Sequence, residues 1–138
     1  MSAEEYFNLY KKCVDIESIQ FSLEDFKLLQ KSKNIKIEKK KNCIAILGLT
    51  EREVEIYFIG VAESIRGRGL GKKFLKNIIN FSKYYGADFI TLEVGINNIP
   101  AKNMYSSFNF IECGIRKNYY RNSSGSREDA IIMRLNLN

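Results

Sequence analysis

Apolar and polar positions change period several times along the chain, and each change marks an element. In SAEEYFNLYKKC (2–13), Tyr6, Phe7, Leu9, Tyr10 and Cys13 recur at roughly helical spacing. SLEDFKLLQK (22–31) opens on Ser22 with Asp25 three residues on, close to a capping box. Both segments are predicted as short helices. NIKIEKK (34–40) alternates Ile35 and Ile37 with lysines, as an exposed strand would, whereas NCIAILGL (42–49) is almost continuously apolar and suits a strand covered on both faces. TERE then turns into VEIYFIGV (54–61), a third strand. Beyond it Leu70, Phe74, Ile78, Phe81 and Tyr85 return to helical spacing, which predicts a helix over 69–85 lying on a sheet and ended by Gly86. DFITLEV (88–94) reads as the next strand, followed by a helix from about 98 to 107 with Pro100 in its first turn, where a missing N–H matters least. FNFIECGIRKNYY (108–120) and EDAIIMRLNL (128–137) read as two strands, with turn residues between them in RNSSGSR (121–127). The sum is an α/β domain with a central β-α-β unit and a final hairpin.

Composition adds bounds. At 138 residues the chain is read as one domain, residues 1–138, able to bury roughly two-thirds of its unfolded surface. The 22 Lys+Arg against 16 Asp+Glu give +6, which suits an acidic ligand or partner: nucleic acid, an acidic protein surface or a phosphorylated cofactor. The three cysteines are far apart, no C-x-x-C occurs and histidine is absent, so no metal is expected. The thiols are read as free and buried, in a reducing cytoplasm. No stretch approaches the ~20 apolar residues of a membrane span, and the chain is expected to be cytoplasmic, with no membrane partner. Without histidine, acid–base work falls to Glu, Asp, Tyr, Lys, Cys or water.

Candidate chemistry concentrates where the β-α-β unit turns. A parallel crossover gathers ligands at the carboxyl ends of its strands. There IRGRGLGKKFL (65–75) runs directly into a helix N-terminus, with uncovered amides and the positive end of a helix dipole. The loop is not a Walker motif, because Lys73 stands where a magnesium-binding hydroxyl is needed; nor is it G-x-G-x-x-G, because its glycines fall two apart. It is either an anion cradle or a basic glycine-rich turn with no ligand. Glu93 and Tyr105 arrive at the same edge. Alone, Glu93 reads equally as a solvated carboxylate and Tyr105 as an aromatic packed on the sheet. Convergence of a cradle, a carboxylate and a phenol raises both.

VAESIRGRGLGKKFL resembles the acetyl-CoA signature of the GCN5-related N-acetyltransferases, R/Q-x-x-G-x-G/A, filled by Arg66, Gly69 and Gly71. LEVGINNIPAKNMYSSFNF, IRKNYY and REDAIIMRL are similar, in order and spacing, to the ribosomal-protein N-terminal alanine acetyltransferases. The resemblance implies a mixed, twisted central sheet flanked by helices, with acetyl-CoA as co-substrate. It places the pantetheine arm along the backbone of Ile59, Gly60 and Val61, and the pyrophosphate at Arg66, Gly67, Arg68, Gly69, Leu70, Gly71 and Lys72. Asn98 would also contact the cofactor. Glu93 matches the family's general base and Tyr105 its general acid; Tyr119 and Tyr120 would shape the acceptor groove or serve as core or surface aromatics. An α-amine with a pKa of about 8 must lose a proton before it attacks a thioester, which is work for a carboxylate. Direct transfer is expected, since Cys43 falls in a central strand and Cys113 has no base near it in sequence.

The implied acceptor is the N-terminal α-amine of a protein, typically a ribosomal one. A lysine side chain, a polyamine or another small amine is the alternative within enzymes. A non-catalytic acyl-CoA-binding or RNA-associated module is the alternative outside them, although only RKNYYR interleaves aromatics with basic residues as base stacking needs, and no direct nucleic-acid binding is expected. Three departures from the family bear on the acceptor: a shortened amino-terminal part, Asn109-Phe110 in place of Gly-Phe, and Gly95-Ile96 after the Glu93 strand.

Overall fold

The computed structural model describes residues 1–121 and 126–138, with Glu17, Tyr120 and Arg121 described by backbone alone. Helices α1 (Ala3–Cys13) and α2 (Leu23–Lys31) precede strands β1 (Ile35–Lys40), β2 (Cys43–Leu49) and β3 (Glu53–Val61). There follow α3 (Leu70–Tyr85), β4 (Phe89–Gly95), α4 (Ile99–Ser107), β5 (Ile111–Arg121) and β6 (Arg127–Asn136). The strands form one sheet in the order β1-β2-β3-β4-β6-β5, parallel at β3–β4 and antiparallel elsewhere. This is the mixed α/β arrangement that the apolar periods predict. Of the expected RNSSGSR turn (121–127), residues 122–125 lie outside the described residues. Among the described residues, no helix is long and apolar enough to cross a membrane.

Local chemistry sets the element ends. Ser2 and Glu5 cap α1 reciprocally, and Ser22 and Asp25 do the same for α2, with Asp25 N donating to Ser22 Oγ at 3.1 Å and Ser22 N to Asp25 Oδ2 at 2.8 Å. Gly69 and Gly86 flank α3 with φ of 76° and 93°, a conformation that side chains with a Cβ resist. β5 begins at Ile111 rather than at Phe108. Phe108 closes α4, and Asn109, at φ 71°, adopts the left-handed conformation that asparagine tolerates in place of glycine. Phe110 then turns inward against Tyr105, with ring centroids 5.7 Å apart.

Each face of the sheet carries its own core. On one, Phe74, Leu75 and Ile78 of α3 pack on Val54, Ile56, Ile90, Leu92 and Val94. On the other, α1 and α2 bury Tyr10 and Phe26 against Ile44, Ile46 and Phe58. β2 supplies both, Ala45 and Leu47 to the first and Ile44 and Ile46 to the second, which is why its sequence is apolar throughout. The second core is largely aromatic: the Phe26 ring lies 5.4 Å from Tyr10 and 6.1 Å from both Phe7 and Phe21, and Tyr10 sits edge-on to Phe58 at 4.9 Å. The Tyr10 hydroxyl accepts from the Gln20 amide at 2.9 Å, tying the α1–α2 connection to this core.

A β-bulge in β3 matters most for the site. Leu47 pairs with Ile56 and Ile46 with Phe58, so Tyr57 is an extra residue. Strict alternation would put Phe58 on the face of Val54 and Ile56. The bulge reverses the phase, sending Phe58 to the α1–α2 core while Ile59 and Val61 pack on the α3 side. It also turns Gly60 toward the end of α1, so close that an added Cβ would lie 2.9 Å from Cys13 Cβ and 2.7 Å from Phe58 Cζ.

Two outcomes follow from this packing. Phe26→Ala removes the ring shared by both N-terminal helices and is expected to lower stability by about 3–5 kcal/mol in urea denaturation. Burial pushes the Cys13 thiol up to about 11, with Cys43 beside it as the second cause, and raises Cys43 likewise. Only thiolates react, so iodoacetamide at pH 8 should modify exposed Cys113 first and leave Cys13 and Cys43 intact until unfolding, as read by peptide mass mapping.

Candidate active site

β3 and β4 pair from Glu53–Phe89 to Ile56–Leu92, and the ladder goes no further. Beyond it β3 stays bonded to β2, through Ala45–Ile59, Ile44–Gly60 and Cys43–Val61. Among the described residues, no strand therefore pairs with the edge of residues 59–61 that faces β4. A cleft of about 840 Å³ opens there, within the range of small-molecule sites. Its lining combines Ile59, Gly60 and Val61 of β3 with the 65–71 loop, Glu93 of β4, and Asn98, Met104 and Tyr105 from the start and body of α4.

The loop after β3 makes a short 3-10 turn (Glu63–Ile65) and then enters α3 through Gly67 and Gly69, at φ 84° and 76°. Nothing lies within 4 Å of where a Cβ would stand on either glycine, so the backbone here is open to an approaching group. No side chain caps α3, and Gly71 lies in its first turn with Met104 Sδ 3.6 Å from its notional Cβ. This is an uncapped helix N-terminus facing a cleft, the geometry of an anion site. Gly67, Gly69, Leu70 and Gly71 line the cleft; Arg68 and Lys72 belong to the same turn but lie outside its lining. Arg66 also borders it, yet its guanidinium is engaged elsewhere: Nε donates to Val61 O at 3.1 Å and Nη2 to Cys13 O at 2.6 Å. Arg66 thus ties the end of α1 to the end of β3.

Alternation along β4 sends Leu92 and Val94 into the α3 core and Glu93 to the opposite face. The side chain of Glu93 is only 19% exposed, and its Oε1 accepts from Arg116 Nη1 of β5 at 3.0 Å. Arg116 lies over the Tyr119 ring, Cζ 4.0 Å from the centroid. The bond to Glu93 raises Arg116 above the ordinary guanidinium range. On the paired part of β3, burial pushes the Glu55 carboxyl up, with Glu53 and Glu93 adding to it. Glu53 in turn accepts a hydrogen bond from Thr91 Oγ1. Glu93, which lines the cleft, thus has Glu53 and Glu55 of β3 near it and meets the Arg116 guanidinium on the face away from α3.

Tyr105 comes from the other side. It is buried, packed among Leu92, Val94 and Phe110, and lines the cleft from α4. Glu93 and Tyr105 thus reach one opening from opposite faces of β4. Asn98 caps α4, its Oδ1 accepting from Ala101 N at 3.3 Å, and borders the same opening. Tyr119 stands on β5 outside the cleft lining, and the side chain of Tyr120 lies outside the described residues.

Sequence reading therefore locates the β3 end, the glycine loop, Glu93, Asn98 and Tyr105, all of which the fold brings to one cleft. It misses Arg116, Glu55, Glu128 and Cys13. Glu128 lines the cleft and accepts from Asn97 Nδ2 at 2.9 Å. The signal for Arg116 was present in IRKNYY, but only strand pairing tells which carboxylate it meets.

Comparison with known proteins agrees with this geometry. The family model described as acetyltransferase (GNAT) matches residues 3–110. The ribosomal protein bS18-alanine N-acetyltransferase of Haemophilus ducreyi is 36% identical over 106 residues, which is 75% of this chain and 73% of that protein. Its Escherichia coli counterpart is 36% identical over 96 residues, 70% of this chain and 64% of the relative. The crystal structure of the ribosomal-protein-S18-alanine N-acetyltransferase from Escherichia coli superposes with a TM-score of 0.84 at 26% identity, covering 98% of this chain and 87% of that one. At the level of fold alone, a GNAT family acetyltransferase from Elizabethkingia anophelis with acetyl-CoA bound aligns at 22% identity and TM-score 0.69, over 84% of each chain. With its split parallel strands, glycine turn and matched sequence in accord, the chain belongs to the acetyltransferase (GNAT) family.

Proposed function

We propose that this N-acetyltransferase moves an acetyl group from acetyl-CoA to the N-terminal α-amine of a protein, a ribosomal one above all, by direct transfer. The observation that carries the reading is the parting of β3 and β4: it leaves a strand edge, an uncapped helix N-terminus, a carboxylate and a phenol around one cleft. The residues present fit acetyl-CoA. The open amides from Gly67 to Lys72 suit its pyrophosphate. The free edge of Ile59–Val61 can bond an extended amide-bearing arm as a further strand would, and Asn98 borders the path between them. Arg66 contributes by holding the loop to the end of β3. The ribosomal acceptor rests on the relatives of that name, and the acetyl-CoA-bound neighbour supports the choice of donor.

Acetyl-CoA supplies the activated acyl group and, on transfer, a thiolate leaving group. Glu93 takes a proton from the acceptor ammonium, directly or through one water, so that the amine can attack. Backbone N–H groups of residues 59–61 donate toward the oxygen on which charge develops. The Tyr105 hydroxyl gives its proton to the departing sulfur. Cys13, the cysteine that borders the cleft, remains a thiol at neutral pH because burial holds its pKa at about 11, which disfavours an acyl-cysteine route.

Acetyl-CoA at 100 times its Kd should stabilise the fold by about 2.7 kcal/mol, seen as a raised melting midpoint. Gly69→Ala, strained at φ 76°, should reduce that rise; no shift with the wild type at millimolar acetyl-CoA would refute the donor assignment. Glu93→Gln should keep acetyl-CoA binding while kcat falls about 10²–10⁴-fold, measured on peptides beginning with alanine. Those peptides should be acetylated in preference to internal-lysine peptides and polyamines; the reverse preference would reassign the acceptor.

A further inference from the structure

We propose that Arg116, laid over the Tyr119 ring, is the positioning residue for the Glu93 carboxylate. The inference rests on Glu93 acting as the base of the transfer.

Glu93 leaves β4 just past the point where that strand parts from β3, so β6 alone pairs with it. A base must stay within hydrogen-bond reach of the proton it takes, and a long side chain beside a gap has too many rotamers to do so unaided. The charge-assisted bond from Arg116 Nη1 to Oε1, at 3.0 Å, removes that freedom, while Oε2 lies buried. Arg116 is itself long and half exposed, and a contact of that kind holds only if the guanidinium is held too. The Tyr119 ring provides the hold, 4.0 Å from Cζ.

β5 is shaped to permit this stack. Residues 116 and 119 of a regular strand point to opposite faces. Here the register with β6 shifts between Arg116 and Tyr120, and Asn118 takes φ 54°. The irregularity is pinned by Asn118 N donating to Asp129 Oδ1 at 2.9 Å and by Arg127 Nη1 donating to Asn118 O at 3.3 Å. The two side chains are thereby brought to one side, in line with Glu93.

The test compares kcat, acceptor KM and acetyl-CoA KM for Arg116→Ala, Arg116→Lys, Tyr119→Leu and Tyr119→Phe. Arg116→Ala should lower kcat about 10- to 100-fold with both KM values unchanged, a loss expected of a mis-aimed catalytic group. Arg116→Lys should recover part of it, and Tyr119→Phe should retain more activity than Tyr119→Leu. In a Glu93→Gln background, read by mass spectrometry of the acetylated peptide in single turnovers, Arg116→Ala should cost nothing more. An unchanged rate, a raised acceptor KM with kcat spared, or a further loss in the Glu93→Gln background would each overturn the proposal. Full turnover by Glu93→Gln alone overturns the base reading instead. Melting midpoints and acetyl-CoA binding check folding, and Arg116→Gln carries the same comparison should the alanine variant fail to fold.

Discussion

β3 and β4 bond in parallel as far as Ile56 and Leu92 and then part, and the groups left on the two lips of that gap line the candidate site. A backbone edge cut off from its neighbour must find other partners or face solvent. Here residues 59–61 face a cleft, and the proposed seat of the acetyl-CoA arm is that edge. What keeps the gap open is packing on both sides of it. The bulge at Tyr57 turns the end of β3 so that Phe58 locks into the α1–α2 core, while Gly60 lets Cys13 approach without a Cβ between them. Arg66 then bonds the carbonyls at the ends of two elements, Val61 of β3 and Cys13 of α1, so the lip of the cleft is tied to the first helix.

The two sides of β4 divide the proposed labour. Its apolar face belongs to the α3 core, and Tyr105 enters from there with its ring packed against Phe110. Its polar face carries Thr91 and Glu93, bordered by Glu53 and Glu55 of β3. Burial holds the Glu55 carboxyl above the usual carboxylate range, and the neighbouring Glu53 and Glu93 add to it. Arg116 brings a guanidinium to Glu93 from β5, so the edge hairpin of β5 and β6 contributes a group to this face.

Much of this was legible in the chain. The doubly apolar run of β2, the helical stripe of α3 and the glycine turn each express a local rule, so their positions agree with expectation to within a residue or so. Where local rules compete, the reading drifted. FNF looks like the start of a strand, but Asn109 in the left-handed region ends α4 first and aims Phe110 at Tyr105. For Tyr119 the sequence leaves acceptor contact and a core or surface aromatic equally open, and the structure adds that Arg116 lies over its ring.

The sequence by itself determined the elements, the anion-friendly turn and the residue types that arrive beside it, because capping, period and glycine conformation act over a few neighbours. Only the tertiary structure decided which strand edge would be left open, which face each side chain of β3 would take after Tyr57, and that Arg116 would meet Glu93. Those outcomes depend on a bulge, a lost ladder and a shifted register, and each is set by how distant segments pack rather than by the residues on either side.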